Sequence, residues 1–383
     1  MIPAGCRYVS LIHEGPDSAQ NRGFFADHRR KELAYPLGLS DRRPCFGARP
    51  SRMLRSAAAH SAARVARANH SFALPQYFLS HMLPFLLVDA FTTQPLRGNP
   101  CAVVLDADSL TPAIRQELAR EFNQSETAFV NHVAPGSAEF TVRFFTPAEE
   151  IPLAGHPTIA TVTALLHAGR VALPADGGPL VLTLHLLDGP IRVDVLPPTG
   201  AAPPLVWMTQ RLPVFGAVHA PEDVQPLFGL SQEDLLPGAP IQTVSTGTPQ
   251  LMLLLRDHAA LRRAHVADPA ALGRYRAASD FFSPHLFCLG GVTPAGHTFA
   301  RHFGTPPDVS EDPVTGSATG GMAAYLWHYG YLASPDFIAE QGHDMGRAGT
   351  VQVRVHGPRT AIEAVQIGGT GVVVLEGGLR REL

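Results

Sequence analysis

The chain has 383 residues, of which 16% are charged and 45% hydrophobic, and a formal net charge of −3. That length exceeds one typical core and suits two domains with an extra segment. The charge excludes a whole-chain electrostatic case for nucleic acid, and no apolar run reaches the ~20 residues of a membrane span.

Residues 1–81 read apart from the rest. No Asp or Glu occurs from Arg42 to Val88, while Arg42, Arg43, Arg49, Arg52, Arg55, Arg64 and Arg67 are all basic. Acid-poor, Arg- and Ser-rich segments resemble targeting peptides. The plainer expectation is a non-folding leader, or sequence upstream of a true start at Met82, which immediately precedes the first clear strand. The cysteines Cys6, Cys45, Cys101 and Cys288 form no CxxC pair, so neither a zinc site nor a disulfide framework is expected. Four free thiols fit a reducing compartment, hence a cytoplasmic location.

Folded sequence begins at Leu83. Leu86–Phe91 reads as a buried strand, Gly98-Asn99-Pro100 as a turn, and Ala102–Leu105 as a second strand. Thr111 caps a predicted helix over Pro112–Phe122, with Pro at its first position. Thr127–Val133 and Phe140–Phe145 read as strands. A helix is expected from about Thr158 to His167, then a hairpin of Val181–Leu187 and Ile191–Leu196.

The second half repeats this order. Gly247-Thr248-Pro249 echoes Gly98-Asn99-Pro100, and Arg301-His302-Phe303 echoes Arg143-Phe144-Phe145. Glu-x-Pro-x-x-Gly occurs as Glu150, Pro152, Gly155 and again as Glu311, Pro313, Gly316. Each copy opens an Ala-rich helix that closes on Gly, at Gly169 and Gly330. One constant offset aligns Glu, Pro, Gly, the late helical His167 and His328, and the closing Gly. A duplication follows, with each copy a curved, mostly antiparallel sheet wrapped round a central helix. The fold class is α+β. The expected domains are 82–200, completed by a C-terminal strand at about 372–383, and 201–371.

Helix N-termini carry unsatisfied N–H groups and partial positive charge, so both helix starts suit a substrate carboxylate. Candidate binding residues there are Gly155, Pro157, Thr315, Gly316, Ala318 and Thr319. Candidate acid–base groups are Glu126, His156, Asp312 and Ser317, since proton abstraction beside an unsaturated carbon needs a base and a group that returns the proton. A carboxylate in a dry cleft can serve both ends of that task. Each residue has a plainer reading. Glu126 reads as an exposed acid, Asp312 as a cap, His156 as a structural histidine, and Ser317 and Thr319 as ordinary first-turn residues. Glu150 and Glu311 are as readily structural as catalytic.

The segments VDAFTTQPLRGNPCAVV, REFNQSETAFV, RFFTPAEEIPLAGHPTIAT and EDPVTGSATGGMAAYL, in this order, resemble the PhzF-like family of phenazine-biosynthesis isomerases. The resemblance spans Met82–Leu383. It implies a diaminopimelate-epimerase-like fold of two pseudo-symmetric domains, a homodimer, and isomerisation without cofactor or metal. It also implies that Glu126 shuttles a proton between two carbons while His156, Asp312 and Ser317 assist and bind substrate. The namesake substrate is trans-2,3-dihydro-3-hydroxyanthranilate. Related epimerases carry facing cysteines at the two helix starts. Ala154 and Thr315 stand there instead, which disfavours a two-thiol racemase. The alternatives are an amino-acid epimerase of the same fold and a non-catalytic binding protein for small molecules.

Overall fold

The computed structural model describes residues 82–134, 136–304 and 310–380. The leader expected at 1–81, with Cys6 and Cys45, lies outside the described residues.

The first half runs β1 (Met82–Ala90), β2 (Asn99–Val104), α1 (Pro112–Phe122), β3 (Glu126–Val130), β4 (Glu139–Phe145), β5 (Glu150–Ile151), α2 (Gly155–His167), β6 (Leu180–Leu186), β7 (Gly189–Leu196) and β8 (Leu205–Thr209). The second half runs β9 (Val214–His219), α3 (Pro221–Val224), β10 (Ile241–Ser245), β11 (Pro249–Leu254), α4 (His258–Arg263), α5 (Pro269–Ala277), β12 (Ser283–Leu289) and β13 (Thr298–Phe303). It continues through β14 (Glu311–Asp312), α6 (Gly316–Tyr329), β15 (Asp336–Gln341), β16 (Gly349–His356), β17 (Ala364–Gly369) and β18 (Gly371–Arg380). Thr111 caps α1 as its sequence requires, accepting from the Ile114 N–H.

The halves are built alike, strand for strand. In the first, β18, β1, β2, β3, β4, β6, β7 and β8 pair in that order. In the second, β9, β10, β11, β12, β13, β15, β16 and β17 do the same. The parallel pairings, β2–β3, β4–β6, β11–β12 and β13–β15, fall where a helix makes the crossover. The last strand, β18, lies antiparallel to the first, β1. Strand β8 pairs with β7 on one side and β17 on the other, which joins the halves.

Each sheet wraps its own helix. Ten residues of α2 and ten of α6 are buried, as expected for helices that are apolar on every face. Both contribute to one continuous core that includes Ile159, Val162, Met322 and Tyr325. Smaller cores lie under α1 in the first half and under α4 and α5 in the second. No helix among the described residues is long and apolar enough to cross a membrane.

One boundary differs from the sequence reading. Helix α2 begins at Gly155, not near Thr158. Proline is tolerated in a first turn, where its missing N–H has no intrahelical partner to lose. Pro157 therefore sits inside the helix, and His156 rides on its first turn.

Candidate active site

The two central helices meet at their starts. A Cβ added to Gly155 would stand 2.7 Å from the Gly316 Cα and from the Ser317 N. No side chain fits there, so this glycine is fixed by the approach of the other helix. Neither helix is capped by a side chain. Ala154 has no acceptor to offer, and Thr315 turns its Oγ1 to Asp312 Oδ2, at 2.5 Å. The first-turn N–H groups are left to a ligand.

A cavity of about 490 Å³ lies at this junction. Glu126, His156, Asp312 and Ser317 all line it, although they come from four different segments. Gly155, Thr315 and Gly316 line it too. The side chains of Pro157, Ala318 and Thr319 do not line this cavity and are buried in the helices. The helical turn carries their side chains into the core, and Thr319 Oγ1 bonds back to the Thr315 carbonyl at 2.9 Å.

Asn99 organises the acid–base groups. Its amide nitrogen lies 2.8 Å from Asp312 Oδ1, 2.9 Å from the Val314 carbonyl and 3.0 Å from His156 Nδ1. Two of these neighbours are oxygens, so the amide's nitrogen end must face them. An amide nitrogen shares two hydrogens among these three neighbours and accepts nothing, so a hydrogen on Nδ1 would have no acceptor there and the ring proton is assigned to Nε2. That atom is 3.2 Å from Glu126 Oε2. Burial pushes the His156 pKa down to about 3, so the ring is neutral.

Asp312 is buried, and burial raises its pKa despite the donors around it. Its Oδ1 accepts from Ser125 Oγ at 2.7 Å as well as from Asn99. Gln341 braces the loop, donating to the Asp312 carbonyl at 2.7 Å and accepting from the Thr315 N–H at 3.0 Å. Glu126, His156 and Asp312 each present a ligand atom within 4.8 Å of one another. Both Asp312 oxygens are already taken up by donors.

Register identifies the pseudo-twofold counterparts. Glu126 faces Cys101 across β2–β3, and Ser283 faces Gln250 across β11–β12. The mate of Glu126 is thus Ser283, the mate of Asp312 is Ile151, and the mate of His156 is Ser317. The acid–base trio exists once, with its first two members in one half and the third in the other. The repeated Glu150 and Glu311 are structural: each pairs with the arginine of its own repeat, Arg143 at 3.6 Å and Arg301 at 2.7 Å.

Some residues of the site carry no signal in the sequence reading. Asn99 reads there only as part of a turn; it is buried behind the wall, whereas the matching loop Gly247-Thr248-Pro249 lines the cavity. Ser125 adjoins Glu126. His302 lines the cavity at the position that Phe144 holds in the first half. Cys101 and Cys288, the free thiols among the described residues, are buried and do not line the cavity.

Residues 88–377 match the family model for phenazine biosynthesis-like proteins. The isomerase YddE of Escherichia coli K12, itself uncharacterized, is 33% identical over 302 residues, 75% of this chain and 95% of its own. The trans-2,3-dihydro-3-hydroxyanthranilate isomerase of Pseudomonas aeruginosa is 29% identical, covering 76% of this chain and 98% of its own. A crystal structure of a PhzF-family protein from Bacillus anthracis superimposes with a TM-score of 0.67 at 29% identity, covering 78% of this chain and 99% of that one.

Proposed function

The chain belongs to the phenazine biosynthesis-like family and is an isomerase, and we propose that it moves a proton between two carbons of a small carboxylate-bearing substrate, with Glu126 as the acid/base. The observation that carries this reading is the placement of Glu126 in the cavity wall, 3.2 Å from the proton-bearing nitrogen of a neutral His156. The substrate carboxylate rests on the uncapped first-turn N–H groups of α2 and α6, whose dipoles both favour negative charge. That places the carbons beside the carboxylate within reach of Glu126.

In this scheme the Glu126 carboxylate takes the proton from one carbon. The C–H electron pair moves into the neighbouring π system, and the helix ends stabilise the charge that spreads onto the substrate carboxylate. A second carbon then takes the same proton back from the Glu126 carboxyl, so no atom is gained or lost. His156 flanks Glu126, its Nε2 edge 3.2 Å from Oε2. Asp312, whose pKa is raised by burial, orients His156 through Asn99. Ser317, the counterpart of His156, offers a hydroxyl from the other helix start. Catalysis of this kind needs one base that serves both faces of one step, which fits a site in which the mate of Glu126 is a serine.

The test is turnover in D₂O with trans-2,3-dihydro-3-hydroxyanthranilate and a panel of unsaturated cyclic carboxylates. The reading predicts that at least one is isomerised with solvent deuterium at the newly protonated carbon. Tight binding of panel members with no deuterium entering any of them would point instead to a binding protein.

A further inference from the structure

The second half contributes a cation that the proton-transfer scheme does not use. Arg276, in the last turn of α5, lines the cavity beside Phe282 and Asp280. Its guanidinium carbon lies 4.6 Å from the centroid of the Phe282 ring. At that distance the guanidinium is attracted to the face of the ring, and its N–H groups remain available to a ligand.

The acids of the cavity wall are engaged elsewhere. Asp280 Oδ2 accepts from the Ala217 N–H at 2.9 Å, and Oδ1 from Thr243 Oγ1 at 2.6 Å. Asp312 takes Asn99, Ser125 and Thr315, and Glu126 faces His156. Among the described residues Arg276 has no ion-pair partner, and it is the one arginine or lysine lining the cavity. Next to Phe281 and Phe282 it stands in partly apolar surroundings, where an oxyanion would be attracted more strongly than in water.

We infer that the substrate is a dicarboxylate: one carboxylate sits on the helix starts and the second is held by the Arg276 fork. The inference rests on the proposed carboxylate seat at α2 and α6 and names the substrate class of the same site. A carboxylate fits better than a phosphate. One planar guanidinium matches one carboxylate by two parallel N–H···O bonds. A phosphate, near charge −2, calls for a nest of backbone donors or further cations, and no other lysine or arginine lines this wall.

The experiment is calorimetric titration of the full chain with two matched series: butyrate, valerate and hexanoate against succinate, glutarate and adipate. At least one dicarboxylate should bind about tenfold or more tightly than its monocarboxylate partner, the worth of one charge-assisted pair. Arg276→Met should erase that advantage and leave monocarboxylate affinity unchanged, which also shows the variant to be folded. Arg276→Lys should retain part of it, as a point charge without the fork. Monocarboxylate binding with no dicarboxylate advantage, or an advantage that survives in Arg276→Met, overturns the inference and leaves the proton-transfer reading standing. Failure of both series to bind overturns the helix-start seat and this inference with it.

Discussion

Gly155 and Gly316 stand so close that a Cβ on the first would lie 2.7 Å from the Cα of the second. The contact sets the two helix starts side by side and so aims both at one cavity. It explains the glycine of the first copy by the packing of helix on helix; in the second copy a Cβ on Gly316 would meet Ile367 Cδ1 at 2.8 Å and the Phe91 ring at 2.9 Å.

Gly155→Ala should therefore push α2 and α6 apart. The expected cost is about 1–3 kcal/mol, typical of overpacking a tight contact, together with weaker carboxylate binding. Urea denaturation and calorimetry with butyrate check both. A variant with wild-type stability and affinity would show that the helix starts have slack.

Asn99 should fix the tautomer of His156. The ¹⁵N shifts of the ring are predicted to place the proton on Nε2 in the native protein. Asn99→Leu removes the donor that faces Nδ1, Asp312 and the Val314 carbonyl, and a buried acceptor left unpaired costs about 1–3 kcal/mol. Turnover should fall while KM changes less, because the carboxylate seat is untouched. A native His156 protonated on Nδ1 would contradict the assignment.

Stability should fall in mild acid. Burial holds His156 and His302 at about 3 and pushes His285 well below its usual value, so these rings are neutral when folded. The unfolded chain takes up their protons below about 6.5. Their contribution is complete above that pH and is lost as pH falls toward 3. Asp312 acts in the opposite sense: its raised pKa means that its contribution is greatest in acid and declines as pH rises past its ordinary value near 3.8. Between pH 6.5 and 5 the histidines dominate, at about 1.4 kcal/mol per pH unit for each proton. His302→Gln should flatten the slope by about one proton. A pH-independent unfolding free energy across that window would refute the buried neutral rings.

Thiol chemistry should be dispensable. Burial drives the Cys101 thiol well above its usual range and that of Cys288 to about 12, so neither is a thiolate at neutral pH. Iodoacetamide at pH 7.5 should leave turnover unchanged. Inactivation would revive the two-thiol epimerase alternative.

Much of this architecture was legible in the sequence, because the duplication was. The repeated Glu-x-Pro-x-x-Gly located both central helices, and the all-round apolar faces of residues such as Ile159 and Met322 showed that they are buried. The convergence of Glu126, His156, Asp312 and Ser317 followed from the family resemblance and not from their spacing. Asn99 escaped because a Gly-Asn-Pro run has a sufficient local reason to exist as a turn. Arg276 escaped because it is one basic residue in the last turn of a short helix, a position where charge is ordinary. The side chains of Pro157, Ala318 and Thr319 turn into the core and not to the cavity: proximity to a helix start in sequence does not fix which way a side chain points.

The most direct test is Glu126→Gln, assayed with any substrate that takes up solvent deuterium. The substitution keeps the shape of the side chain and removes its basicity. General acid–base catalysis is worth about 100- to 10,000-fold, so kcat and deuterium incorporation should both fall at least about 100-fold while substrate affinity stays near wild type. Turnover and deuterium uptake close to wild type would remove Glu126 from the reaction and, with it, the one-base proton transfer proposed for this site.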